Sequence, residues 1–300
     1  MKPWLIVLLL SVGVPAQRMT IGSGSRVRAE PNAQAQEVIK LGVGTVLTVT
    51  ETKRVGDVEW LHVVAEAPVK VDGWMSAALS VAYDDHNRDH LALNVARQRL
   101  AAKPVWADDK DAINFLGKAM AQAQDRAVVG ELALARLLLM HRSINGGTAY
   151  EEVEAWAKKT PGASFDELGG GWMVPASAYW SLHDAAKDTP VAEVIAFEAA
   201  KAPIPGECEG SLSCALSLLE YGEGRYLSLY PRGAHSAEIV ERMVEALLNF
   251  VELPFDEADS AEVNKGISSL KKIIGGLEPS AQKKLLPSVA RIEARGKIKR

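Results

Sequence analysis

Two histidines four residues apart, His86 and His90, stand among Asp84, Asp85 and Asp89. On a helix that spacing puts both imidazoles on one face, where they can hold one metal. The general-base glutamate of the zinc peptidase pattern is missing, because Asn87, Arg88 and Asp89 fill the interval. The run sits in a polar stretch, so a solvated linker is expected and no metal or cofactor. Nucleophile chemistry finds no better footing. There is no Gly-x-Ser-x-Gly turn and no phosphate-cradling Gly-Lys-Ser/Thr. The glycine run at 169–171 lacks a following lysine. Catalysis is not expected of this chain.

The two cysteines, Cys208 and Cys214, bracket a short segment. Their chemistry depends on compartment. Lys2, the apolar run 4–10 and the small residues before Gln17 have the three-part layout of a secretory signal over residues 1–16. The run falls short of the ~20 residues of a membrane span. Export to periplasm or extracellular space, without a stable span after cleavage, is therefore expected. An uncleaved anchor is the alternative. In an oxidising compartment a close, even pair reads most simply as a disulfide; free thiols or metal and redox use are the other readings. Cys214 lies in an Ala/Leu-rich helix, a poor place for an exposed nucleophile.

Tryptophan supplies the remaining binding chemistry, since it anchors peptides and stacks on sugars. Trp60 and Trp74 stand in β-patterned sequence; Trp106, Trp156, Trp172 and Trp180 stand in or beside helices, where they read as core. In 60–64, Trp60, His62 and Val64 alternate with Leu61 and Val63, so His62 shares the face of Trp60. Trp60, Trp74 and His62 are the ligand-binding candidates.

These residues must be positioned by two kinds of element. Residues 17–24 read as a polar lead-in. From 25 to 81 turn residues at 31–32, 42–44, 56–57 and 72–73 separate short alternating runs. Five short strands in so few residues suggest a small β-barrel. After a polar 83–103 stretch, linker or first helix, the chain turns Ala-, Leu-, Glu- and Lys-rich. Helices are predicted over 89–102, 108–124, 125–141, 148–159, 173–187, 191–201, 211–229, 236–253, 260–277 and 280–296. The fold class expected is β plus α: a barrel at 17–82, then an all-α domain of helical hairpins at 104–300, repeat or bundle. The net charge of −4 becomes −5 without residues 1–16, which carry Lys2 and no acid. That balance argues against nucleic acid as a partner. The basic end, Arg291, Arg295, Lys297, Lys299 and Arg300, suits a helix C-terminus and a solvated tail.

The 25–81 stretch resembles the bacterial SH3 (SH3b) family. Val27, Arg28 and Pro31 fit its opening, with Arg26 in place of the usual Asn. Val38, Ile39, Leu41, Gly44 and Leu47 fit the strand pair, and Trp60, Val63, Gly73 and Trp74 the close. The loop at 65–71 is longer and more apolar than the family pattern. Residues 226–235, with a Tyr-Pro step before a small-residue start, look loosely like the seam between tetratricopeptide (TPR-like) helices. The resemblance implies a non-catalytic exported scaffold that binds a peptide or cell-wall ligand through the barrel and protein through the helices. A cell-wall hydrolase or its regulator is one alternative. A purely structural barrel, with Trp60 and Trp74 buried, is the other.

Overall fold

The computed structural model describes residues 16–66, 69–145, 150–206, 208–254 and 259–298, without the side chains of 150 and 296–298. The predicted signal at 1–16 falls outside them except for Ala16. The chain is β first and α after. It divides into two compact units, up to Ala119 and from Met120 onward.

The first unit is built on one antiparallel sheet of seven strands, ordered β3-β2-β6-β5-β4-β1-β7. The strands are β1 (Gln17–Thr20), β2 (Ser25–Arg28), β3 (Glu37–Leu41), β4 (Val46–Val55), β5 (Val58–Ala65), β6 (Val71–Ser76) and β7 (Ser80–Ala82). β1 corrects the expectation of a lead-in at 17–24. Met19 and Thr20 are buried, and the strand pairs with both β4 and β7. Its sequence hides this because Gln17 and Arg18 are polar. Arg18 is spent on β7, donating from Nε to Ser80 Oγ at 2.8 Å and from Nη2 to Ser80 O at 2.6 Å.

One face of the sheet holds the core. Val27, Leu41, Leu47, Leu61, Val63, Val71 and Met75 are buried together, with Ile39, Val49 and Ala65 packed against them. The alternation read in β4 and β5 is thus the alternation that folds, because successive side chains leave a strand on opposite faces. Gly73 sits where β6 passes closest to β2. A Cβ there would lie 2.6 Å from the Arg28 carbonyl oxygen. A two-residue turn at 56–57, with Gly56 at φ 62°, joins β4 to β5.

Two helices complete this unit: α1 (Arg88–Ala101) and α2 (Trp106–Gln122), the latter running just past the unit boundary. Asp109 is buried and meets Arg99 Nε at 2.5 Å, so the charge that α2 buries is paired by α1. α2 then caps the β3–β4 turn. Asp111 Oδ2 accepts from Val43 N at 2.8 Å, and the Phe115 ring lies over Gly44. Gly44 has φ +79°, and an added Cβ would come within 2.0 Å of Phe115 Cδ2. The sequence reading treats 83–103 as a linker or first helix. In the fold α1 and most of α2 are packed into the sheet's own unit.

The second unit is mainly helical: α3 (Arg126–Asn145), α4 (Tyr150–Ala157), α5 (Ala176–Ala186), α6 (Ala192–Lys201), α7 (Leu212–Leu219), α8 (Arg225–Leu229), α9 (Ser236–Phe250), α10 (Ser260–Gly275) and α11 (Pro279–Ile298). A hairpin of β8 (Ser164–Asp166) and β9 (Gly171–Met173) interrupts them. That hairpin corrects the expectation of an all-α region; its strands are too short and glycine-bordered to show periodicity. On α9, Ile239, Met243 and Leu247 recur every fourth residue and are buried. Buried faces of α10 (Val263, Ile267, Leu270, Ile274) and α11 (Leu285, Val289, Ile292) complete that cluster. The helix expected over 211–229 is one rod with a π turn at Glu220–Gly224 between α7 and α8. Cys208 and Cys214 form a disulfide with Cα atoms 5.4 Å apart. It closes onto the first turn of α7, where Ser211 Oγ caps Cys214 N at 3.3 Å. No described helix is long and apolar enough to cross a membrane.

Candidate functional site

The three ligand-binding candidates separate into one buried residue and one half-buried pair. Trp60 is 6% exposed and lies outside the main core cluster. Trp74 is half-buried and pairs directly across the β5–β6 ladder with His62. Their rings meet edge to face, with centroids 5.0 Å apart. Both lie on the face opposite Leu61 and Val63, away from the core.

The strands position this pair through a β-bulge. The β4–β5 register shifts between Val49 and Glu51, which leaves Thr50 as the extra residue. A bulge re-aims the side chain it carries. Here Thr50 Oγ1 lies 2.8 Å from His62 Nδ1. On the other side of the ring, His62 Nε2 is 3.3 Å from Asp72 Oδ1. Each ring nitrogen thus has a polar neighbour, and the two contacts together set the ring angle. Asp72 itself is largely exposed. The result is a small platform with an indole face, a fixed imidazole and a free carboxylate oxygen. It suits stacking combined with hydrogen bonding.

His86 and His90 do not share a helical face. α1 begins at Arg88, and His86 lies in the preceding turn. Asp84 Oδ1 accepts from His86 N and Asn87 N at 2.8 and 2.9 Å, so the acid is spent on the turn. His90 Nε2 is met by Asn94 Nδ2 at 3.0 Å. No group of three potential ligands gathers for a metal among the described residues. Of the basic end, Arg295 donates from Nη2 to Leu253 O at 2.7 Å, a tie to the α9 end; Lys299 and Arg300 lie outside the described residues.

The second unit holds a polar network that motif reading does not find. His183 is buried. Its Nδ1 is 3.1 Å from Asp184 Oδ1 and its Nε2 is 2.9 Å from Tyr230 Oη. Burial raises the Tyr230 pKa, so its hydroxyl keeps the proton that it donates to His183. The hydrogen bond from His183, joined by Arg225, holds Asp184 below the usual carboxylate range. Arg225 Nη2 donates to both Asp184 oxygens at 3.0 and 3.1 Å, and its guanidinium lies over Trp180 at 4.3 Å. Nearby, the fully buried Tyr226 donates to Glu193 Oε1 at 2.8 Å, and His235 stacks on Phe197 at 3.9 Å. Burial, and then Glu193, push the Tyr226 pKa far up. These ties join α5, α6, α8 and the start of α9. The signal for them was the Tyr226–His235 segment, read only as a helix seam.

Beside the π turn lies an open groove of about 780 Å³, lined by Tyr221, Arg225, Leu229, Lys272 and Ile273 among others. Leu229 is 47% exposed. Glu220, also on its wall, is held by Ser269 Oγ at 2.5 Å. The chain matches no protein-family model, no curated protein and no solved structure.

Proposed function

We propose that this chain is an exported, non-catalytic binding protein. Its sheet unit is an SH3b-like barrel that recognises a peptide, and the peptide stem of the bacterial cell wall is the ligand the resemblance implies. The helical unit offers a second surface to a protein partner. The observation that carries this reading is the unequal fate of the two motif tryptophans. Trp60 is buried, whereas Trp74 keeps part of its ring in solvent, braced by a histidine that Thr50 and Asp72 hold in one orientation. A partly exposed indole with a pre-oriented polar neighbour loses little side-chain freedom on binding, which is what favours aromatic anchors at recognition surfaces. The disulfide is consistent with export.

Incubation of the purified protein with cell-wall sacculi tests the reading. Retention above that of an unrelated exported protein is expected. Retention no greater than that control contradicts wall binding. A zymogram against the same wall material is expected to show no cleared band; clearing would make the protein a hydrolase instead.

A further inference from the structure

The platform on the outer face of the first unit's sheet also carries charge. β6 sends Val71 and Met75 into the core, so Asp72 and Trp74 leave the strand on the opposite face. Two residues apart on one strand, they stand about 6.6 Å from each other along it. His62, directly across from Trp74 on β5, touches both. Its ring meets the indole with centroids 5.0 Å apart, and its Nε2 lies 3.3 Å from Asp72 Oδ1. The Asp72 side chain is 70% exposed. His62 engages Oδ1, and Oδ2 has no partner among the described residues.

The β4 flank carries the same sign. Glu51 is the register partner of His62 and is exposed. On the other flank Arg28 of β2 is the register partner of Trp74. Its Nη1 donates to Ala35 O at 2.6 Å, which ties the guanidinium to the turn between β2 and β3. An aromatic ring attracts a cation through its quadrupole, and a carboxylate beside it adds a charge-assisted contact. An anion would meet two carboxylates instead. A flexible aliphatic stem that ends in an ammonium can lie along the indole and reach Asp72. We propose, on the reading that this face binds a peptide, that the platform takes a lysine-type side chain. The methylene stem packs on Trp74, and the ammonium pairs with Asp72 Oδ2.

The test is nuclear magnetic resonance of the indole N–H groups in the mature protein, with Trp74→Phe identifying the Trp74 resonance. n-Butylammonium is the probe, and n-butanol carries the same stem without the charge. Butylammonium should move the Trp74 resonance saturably. Butanol should need about tenfold more for the same response, the worth of a cation–π contact joined to an exposed ion pair. Asp72→Asn keeps a polar neighbour for His62 and should narrow the gap to about threefold. A Trp74 resonance unmoved by butylammonium, an equal response to the two probes, or a gap unchanged in Asp72→Asn would each overturn the proposal, whatever the sacculi show. Sacculi that fail to retain the protein contradict wall binding alone, and the probe comparison still decides the lysine-type assignment. Sacculi that retain it should lose it, by at least about threefold, once their free amino groups are acetylated. Retention unchanged by acetylation overturns the assignment while wall binding stands.

Discussion

Gly44 and Phe115 show how strictly single residues hold the first unit together. The glycine takes a left-handed φ and leaves room for a ring that α2 lays across the β3–β4 turn. Gly44→Ala should cost about 3 kcal/mol, through the strained φ and the overlap with Phe115. In a Phe115→Ala background the overlap is gone and the cost should fall to about 1 kcal/mol. Denaturant melts of the four variants check this; equal cost in both backgrounds contradicts the contact. At this scale the sequence was informative about type and not about surroundings. Gly44 was legible as a turn glycine, and Trp60 and Trp74 were legible as a pair. The partner of Gly44 lies some seventy residues away. The same limit applies to the tryptophans, since period-2 alternation assigns a face and not what covers it. Likewise Tyr226 and Glu193 are joined across 33 residues, a distance no local pattern reaches.

Among the elements, the rod from α7 through the π turn to α8 carries the most specific chemistry. Its helical character was readable from Ala and Leu content, but the π turn was not, because the pattern of a helix that gains one residue still looks helical. The half-buried Glu223 sits in this turn and pairs with Arg242 at 3.1 Å. Burial raises its pKa above the ordinary 4.5, with Arg242 only partly opposing the shift. Because the folded state holds this proton more tightly, the associated stability is full below pH 4.5 and is lost as pH rises through the raised value. Glu223→Gln should therefore compare better with the unsubstituted protein at pH 7 than at pH 4, as read from urea midpoints. A difference that does not change with pH contradicts the assignment. The same rod begins at the Cys208–Cys214 bridge. Replacing both by serine should cost about 2 kcal/mol, the chain-entropy worth of so short a loop, and should make the melting temperature indifferent to reductant. A melt still sensitive to reductant contradicts it.

For the whole molecule, the order β then α was legible from the change in periodicity near residue 83. The place where compactness divides the chain was not. Polar residues at 84–90 read as a linker because solvation and helix N-termini use the same residue types. In the fold, Asp84 and Asn87 build a turn into α1, and α2 brings Asp111 and Phe115 back to the sheet. A chain of residues 17–119 should consequently melt cooperatively, and one of 17–82 should melt at a lower temperature, having lost the cover of its β3–β4 turn. Equal melting temperatures would show that α1 and α2 add nothing to the sheet.

The claim that most needs measurement is that the half-exposed Trp74, and not the buried Trp60, meets a ligand. Retention on cell-wall sacculi should be compared for the unsubstituted protein, Trp74→Ala and Trp60→Phe, with circular dichroism confirming that each is folded. Retention should fall at least about tenfold for Trp74→Ala, the loss of one aromatic anchor, and stay within about twofold for Trp60→Phe. Retention that survives Trp74→Ala unchanged would contradict it.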